Sequence, residues 1–230
     1  MEETMRGKSL VKRLSLMFLG ASCLLLLQTA AQAALITTPG LTIVNGDKTF
    51  STFTCSVVQN GGGGQPPNCN AIDVTAITDA LGLLGIQFQL AGQVNTSNSS
   101  VDVLIGYNVA SSGPPINDIH MAFNGNFTGS GSTNVTETVN GLIPPTLTIG
   151  QIVVSNPPPV LDALINLSQP VTSAHVGKDI LLAVGGTPGS ANISSIGQTF
   201  SQVPEPSSVV LSGSMLLGVT AVMRRRRARA

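Results

Sequence analysis

Tryptophan is absent from the sequence and tyrosine occurs once, at Tyr107. A binding face that stacks sugar rings on broad aromatic plates therefore has little to draw on. Charge is scarce too: Asp, Glu, Lys and Arg make up 10% of the 230 residues, against about a quarter in ordinary soluble chains. The scarcity is uneven. Between residues 34 and 203 the only basic side chains are Lys48 and Lys178, with no arginine, against Asp47, Asp73, Asp79, Asp102, Asp118, Glu137, Asp162 and Asp179, a net charge of −6. Nucleic acid is met through lysine and arginine on phosphate, so this stretch excludes a nucleic-acid partner. Cysteine is limited to Cys23, Cys55 and Cys69.

The remaining basic residues sit at the two ends. Arg6, Lys8, Lys12 and Arg13 precede an apolar run from Leu14 to Leu27, and Ala31-Gln32-Ala33 follows. A basic start, a 14-residue apolar core and a small-x-small motif predict a secretory signal over 1–33. Its partners are the Sec translocon and signal peptidase, which cuts between Ala33 and Ala34. Glu2 and Glu3 are out of place in a basic leader, which makes Met5 an alternative start. Cys23 lies inside the apolar run, and Gly20 stands where a lipoprotein signal has leucine.

The C-terminal end has three parts in order: Val203-Pro204-Glu205-Pro206, an apolar segment over 207–223, and Arg224, Arg225, Arg226, Arg227 and Arg229. Seventeen residues rise about 25 Å as a helix, the short limit for a membrane span. The arginines are costly to move through hydrocarbon and would hold the terminus in the cytoplasm as a stop-transfer cluster. Pro206 keeps Glu205 extended, which suits an enzyme that binds its substrate as a strand.

These residues resemble the PEP-CTERM sorting class, which has the same signature, short span and arginine cluster at the extreme C-terminus. The resemblance implies recognition by an exosortase, which removes the tail, and an exported protein held in or released through exopolysaccharide. A second, softer resemblance runs through Val101–Tyr107, Ile116–His120, Val135–Thr138, Lys178–Leu181 and Gln198–Phe200, which look like a pattern recurring in exported PEP-CTERM proteins. It implies a shared fold and assigns no activity.

Residues 34–202 read as one exported domain with a strand pattern. Ile86, Phe88, Leu90 and Val94 alternate with Gln87, Gln89, Ala91 and Gln93, as half-buried strands do. Val101, Val103, Ile105, Tyr107 and Val109 repeat the alternation, as do Ile119, Met121, Phe123 and Phe127. Further strands are expected over 41–44, 49–58, 132–139, 147–154, 179–184 and 191–200. Turn formers separate them at Asn45-Gly46, Gly61–Gly64, Gly113-Pro114-Pro115, Asn140-Gly141, Pro157–Pro159 and Gly185-Gly186. The expectation is an all-β domain, an antiparallel β-sandwich or jelly roll, with at most one short helix over 72–84.

Cys55 and Cys69 are the pair left after leader removal, and export predicts a disulfide between them. No metal site is expected: with His120 and His175 the cysteines do not space as a zinc cluster, and no Asp-x-Asp-x-Asp-Gly calcium loop occurs, although a calcium site built across loops stays open. His175, beside Gly177 and Lys178, reads as loop. Strand alternation puts Asp118 and His120 on one face, where a carboxylate could orient an imidazole for general-base work. A solvated polar face is the plainer reading of the same residues. Asn-x-Ser/Thr sites at Asn95, Asn98, Asn126, Asn134, Asn166 and Asn192 follow from a composition rich in Ser, Thr and Asn.

Three functions fit. The first is an exported, exosortase-processed surface or matrix protein with no catalytic residues and no cofactor, membrane-bound only through its sorting helix. The second is a carbohydrate-binding β-sandwich, since hydroxyl and amide faces hydrogen-bond with sugars and depend little on salt. The third is a hydrolase using Asp118, His120 and an unassigned serine.

Overall fold

Alternating apolar residues can bury one face of a strand only against a second layer, and the chain supplies that layer by folding one sheet over on itself. The computed structural model describes residues 33–62, 64–142 and 147–202. Eleven strands lie in this part: β1 (Ala34–Leu35), β2 (Thr42–Asn45), β3 (Lys48–Asn60), β4 (Gly64–Gln65), β5 (Asp73–Thr78), β6 (Leu84–Val94), β7 (Ser99–Ser111), β8 (Ile116–Gly141), β9 (Thr148–Asn156), β10 (Asp162–Val171) and β11 (Ser173–Gln202). All pairings are antiparallel. Among the described residues no helix is long and apolar enough to cross a membrane. The expected signal residues 1–32 and the sorting tail 203–230 lie outside the described residues.

The two longest strands, β8 and β11, run through both layers. Residues 173–184 of β11 lie between β7 and the 131–141 half of β8, with β3 and β2 beyond β7 and β9 beyond β8. We call this the front sheet. Residues 189–202 of β11 lie between β6 and the 116–129 half of β8, with β5 and β1 beyond β6 and β10 beyond β8. This is the back sheet. The register jumps from Val184 opposite Gly131 to Gly189 opposite Gly129, so the fold-over is a wide bulge. Glycine is required there. A Cβ on Gly131 would sit 1.8 Å from the Ser190 carbonyl oxygen, and Gly129 has φ +52°.

The layers meet through their inward rows. Phe50 on β3 packs on Phe200 of the back sheet with ring centroids 5.6 Å apart, and Tyr107 on β7 packs on Phe88 of β6 at 5.7 Å. Val74, Ile86, Phe88, Val103, Val135, Val176, Ile180 and Ile196 are fully buried around them. Cys55 on β3 is bonded to Cys69 in a short 3-10 turn over Cys69–Ala71, with Cα atoms 5.8 Å apart, the pairing expected from the sequence. Closing a loop of this size contributes about 3 kcal/mol in the chain-entropy account.

One expectation is narrowed and one differs from what is found. Residues 72–84 hold no α-helix: they form β5 and then a turn that Asp79 caps by accepting from the Leu81 and Leu83 amides. The segments 119–127 and 132–139 are one strand, as are 179–184 and 191–200, because the intervening glycines bend the chain and the pairing resumes in a shifted register beyond them.

Candidate functional site

Three groups of polar residues stand out on this frame: one in the core, one around His120 and one on the outer face of the front sheet.

In the core, Glu137 on β8 and Lys178 on β11 are directly opposite each other, and both side chains are fully buried. Lys178 Nζ donates to Glu137 Oε2 and, at 3.5 Å, to Met121 Sδ of the back sheet. Gln198, also from the back sheet, donates from Nε2 to Glu137 Oε1 at 2.5 Å, and its own Oε1 accepts from the Tyr107 hydroxyl. Burial pushes the Lys178 amine below its ordinary range, with Glu137 opposing. Burial and then the Glu137 charge push the Tyr107 hydroxyl well above its own. Sequence reasoning placed Tyr107 on a core face and missed the rest. The signal was there: Lys178 falls between Val176 and Ile180, and Glu137 between Val135 and Val139, in strictly alternating rows.

Lys48 is buried as well, donating to Asp47 Oδ1 at 2.9 Å. Burial acts to raise the Asp47 carboxyl, but hydrogen bonds from Lys48, Gln202 and Ser111 and the Lys48 charge outweigh it and hold it below the usual range. Among the described residues, then, no lysine or arginine reaches the surface.

Around His120 the sequence expectation is corrected. Asp118 makes no hydrogen bond or ion pair with His120, and its Oδ1 is buried without a partner. The imidazole instead faces Asp79, with Nδ1 4.0 Å from Oδ2, and Asp162, with Nε2 3.7 Å from Oδ2. These carboxylates come from the turn after β5 and from β10, and alternation within β8 could not reveal them. Asp79 also accepts from Thr199 at 2.8 Å. Burial works to raise its carboxyl, and hydrogen bonds from Leu83, Thr199 and Leu81 together with His120 bring it below the ordinary value. Among the described residues no serine hydroxyl is hydrogen-bonded to His120, and no group of three or more His, Cys, Asp or Glu gathers as a metal cluster.

The outer face of the front sheet carries a trough of about 650 Å³. Its floor is one straight register row across five strands: Thr54 on β3 opposite Gly106 on β7, Gly106 opposite Gly177 on β11, Gly177 opposite Thr138 on β8, and Thr138 opposite Gln151 on β9. Two adjoining glycines in mid-sheet lower the surface. Ser56, Leu104, Asp179 and Thr136 form one wall. On the other side His175 leans toward Gly106 and its Nδ1 lies 2.8 Å from Asn108 Oδ1. His175 is thus a strand residue of β11, contrary to the loop expectation, because the pairing with β7 runs through it without a break.

Above the trough Asp102 and Asp179 sit diagonally across the β7–β11 pair, with Leu104 and Leu181 at the other two corners. Burial and then the neighbouring Asp179 charge raise the Asp102 carboxyl, and Asp102 Oδ1 is buried without a partner. A carboxyl raised on folding costs stability above its folded pKa and ceases to do so when it is protonated. Asp102→Asn is therefore expected to stabilise the domain at neutral pH by about 0.2–1 kcal/mol, the usual size of a cross-strand charge effect. Urea denaturation at pH 7 measures the gain, which should vanish near pH 3.

The sequence matches no family model and none of the curated proteins. Solved structures overlap it only loosely. The enzymatically active domain of tailspike protein 4 from bacteriophage CBA120 superposes at a TM-score of 0.32 and 9% identity, over 64% of this chain and 19% of that chain. TmCBM61 in complex with beta-1,4-galactotriose gives 0.28 and 9%, over 64% and 88%. Trichoderma harzianum endoglucanase 3 of family GH12 gives 0.27 and 10%, over 76% of this chain and 99% of that chain. At such scores these overlaps carry no functional weight, and what stands is an all-β antiparallel sandwich with a glycine-floored trough.

Proposed function

We propose that the domain is a non-catalytic, exported surface or matrix module that holds neutral polysaccharide in the trough of its front sheet. The observation that carries this reading is the row Thr54–Gly106–Gly177–Thr138–Gln151. It spans four strand spacings, about 19 Å, enough for a short oligosaccharide lying across the strands. It offers hydroxyls and one carboxamide, each able to donate and accept, and no cation. Exposed aspartates without surface lysine or arginine repel acidic polymers, so the fitting ligand is uncharged. Tyr107 is buried, which leaves recognition to hydrogen bonds and makes it weak for a single site.

The test is a variant that fills the trough and spares the fold. Gly177 has open space above it: a Cβ added there would meet only the Thr138 carbonyl oxygen, at 4.0 Å, and valine suits a strand. Gly177→Val should keep the unfolding midpoint and lower retention in a neutral-polysaccharide affinity gel at least about tenfold, a loss of about 1.4 kcal/mol. Retention unchanged by the substitution contradicts the reading.

Delivery is the other half of the proposal. Leader removal at Ala33/Ala34 and exosortase processing at Val203-Pro204-Glu205-Pro206 would place the domain at the cell surface or in exopolysaccharide. Deleting 204–206 in a host with an exosortase should leave a larger species in the inner membrane. Unchanged mass and location would refute this step.

A further inference from the structure

We propose that Lys178 and Glu137 condense to an intramolecular amide that joins β8 to β11 through the centre of the sandwich. The two side chains are the reactants of that bond, held where no water competes. They stand directly opposite on adjacent strands, both fully buried, and Lys178 Nζ already donates to Glu137 Oε2. Gln198 Nε2 fixes the other carboxyl oxygen, Oε1, at 2.5 Å, and the Tyr107 hydroxyl fixes Gln198. Met121 Sδ covers the remaining side of the amine.

The chemistry follows from burial. An ion pair stripped of water loses the hydration of both charges, and proton transfer from ammonium to carboxylate removes them. That transfer, from Nζ to Oε2, leaves a neutral amine against a neutral acid. The nitrogen lone pair attacks Glu137 Cδ, and negative charge gathers on Oε1, where the Gln198 amide donates to it. A second nitrogen proton passes to Oε2, the Cδ–Oε2 bond breaks and one water leaves. The product has one new C–N bond, its carbonyl oxygen still held by Gln198. No oxidant, reductant or other reactant is needed. Fixed opposition of the partners supplies effective molarities of about 10⁵–10⁸ M. The low amine pKa that burial gives Lys178 increases the share of the nucleophilic form.

The bond would close the chain between the two strands that both layers share, across the segment holding β9 and β10. In a protein exposed to shear outside the cell it would act as a covalent clamp beside the Cys55–Cys69 disulfide.

Mass decides the proposal. The full chain, expressed and recovered in folded, disulfide-bonded form, is expected to weigh one water less than its processed sequence. After reduction and unfolding, trypsin should fail to cut at Lys178, and a protease that cuts before aspartate should yield a branched peptide joining 118–161, which holds Glu137, to 162–178, which ends in Lys178. Lys178→Met should restore the missing water. If that variant does not fold, the peptide map of the wild-type protein answers alone. Full mass with free cleavage after Lys178, or a water lost without the branched peptide, overturns the proposal.

Discussion

Trypsin should leave the folded domain intact between residues 34 and 202, although it cuts the unfolded chain after Lys48. Only Lys48 and Lys178 offer it a bond there, and they are 1% and 2% exposed within paired strands. Cleavage must wait for opening of the fold. At a folding free energy of about 5 kcal/mol or more the open fraction is below about 10⁻³, so cutting should slow at least about a thousandfold relative to the denatured chain. Trypsin will trim the arginine tail and the basic leader wherever they are still attached. A time course on gels, with and without prior denaturation, reads the difference. Rapid cleavage at Lys48 under native conditions would mean that the lysines are not buried. A domain with no lysine or arginine exposed among its described residues gains lasting resistance to trypsin-like proteases.

Glu137→Ala should be the most damaging single substitution in the core. Removing one member of a buried pair strands the other, which costs about 3–5 kcal/mol, a large share of an ordinary domain's stability. The pH dependence has a definite sign. Without Glu137, Lys178 is held by burial at a pKa below its unfolded value, so the unfolded state binds more protons and stability rises with pH up to the ordinary lysine range. The triple variant Glu137→Leu/Lys178→Met/Gln198→Leu removes the charges together and should be milder than Glu137→Ala. Urea midpoints at pH 7 and pH 9 check both statements. A loss below about 1 kcal/mol for Glu137→Ala would contradict the buried pair.

What the sequence disclosed follows from what periodicity can carry. Rows such as Ile86, Phe88 and Leu90, or Val101 to Val109, announced half-buried strands because one face of each packs on the opposing layer. β10 was missed because it is an edge strand whose apolar residues point both ways, with Leu164 exposed and Leu167 buried. β5 hid under a helical reading because its alternation is short and Asp79 ends it with a turn. The disulfide was legible from the count of two cysteines beyond residue 33. The trough was not, since it depends on register: Gly106 and Gly177 are 71 residues apart in the chain and adjoin only once β7 and β11 pair. His120 likewise gained its partners, Asp79 and Asp162, from other elements.

The central claim, that the front sheet's glycine-floored row receives a neutral glycan, is tested most directly by amide chemical-shift mapping of the ¹⁵N-labelled domain titrated with neutral oligosaccharides. The account predicts saturable shifts at Thr54, Gly106, Gly177, Thr138 and Gln151, with the back sheet unmoved. Shifts confined to the back sheet, or none with any neutral glycan at millimolar concentration, would contradict it.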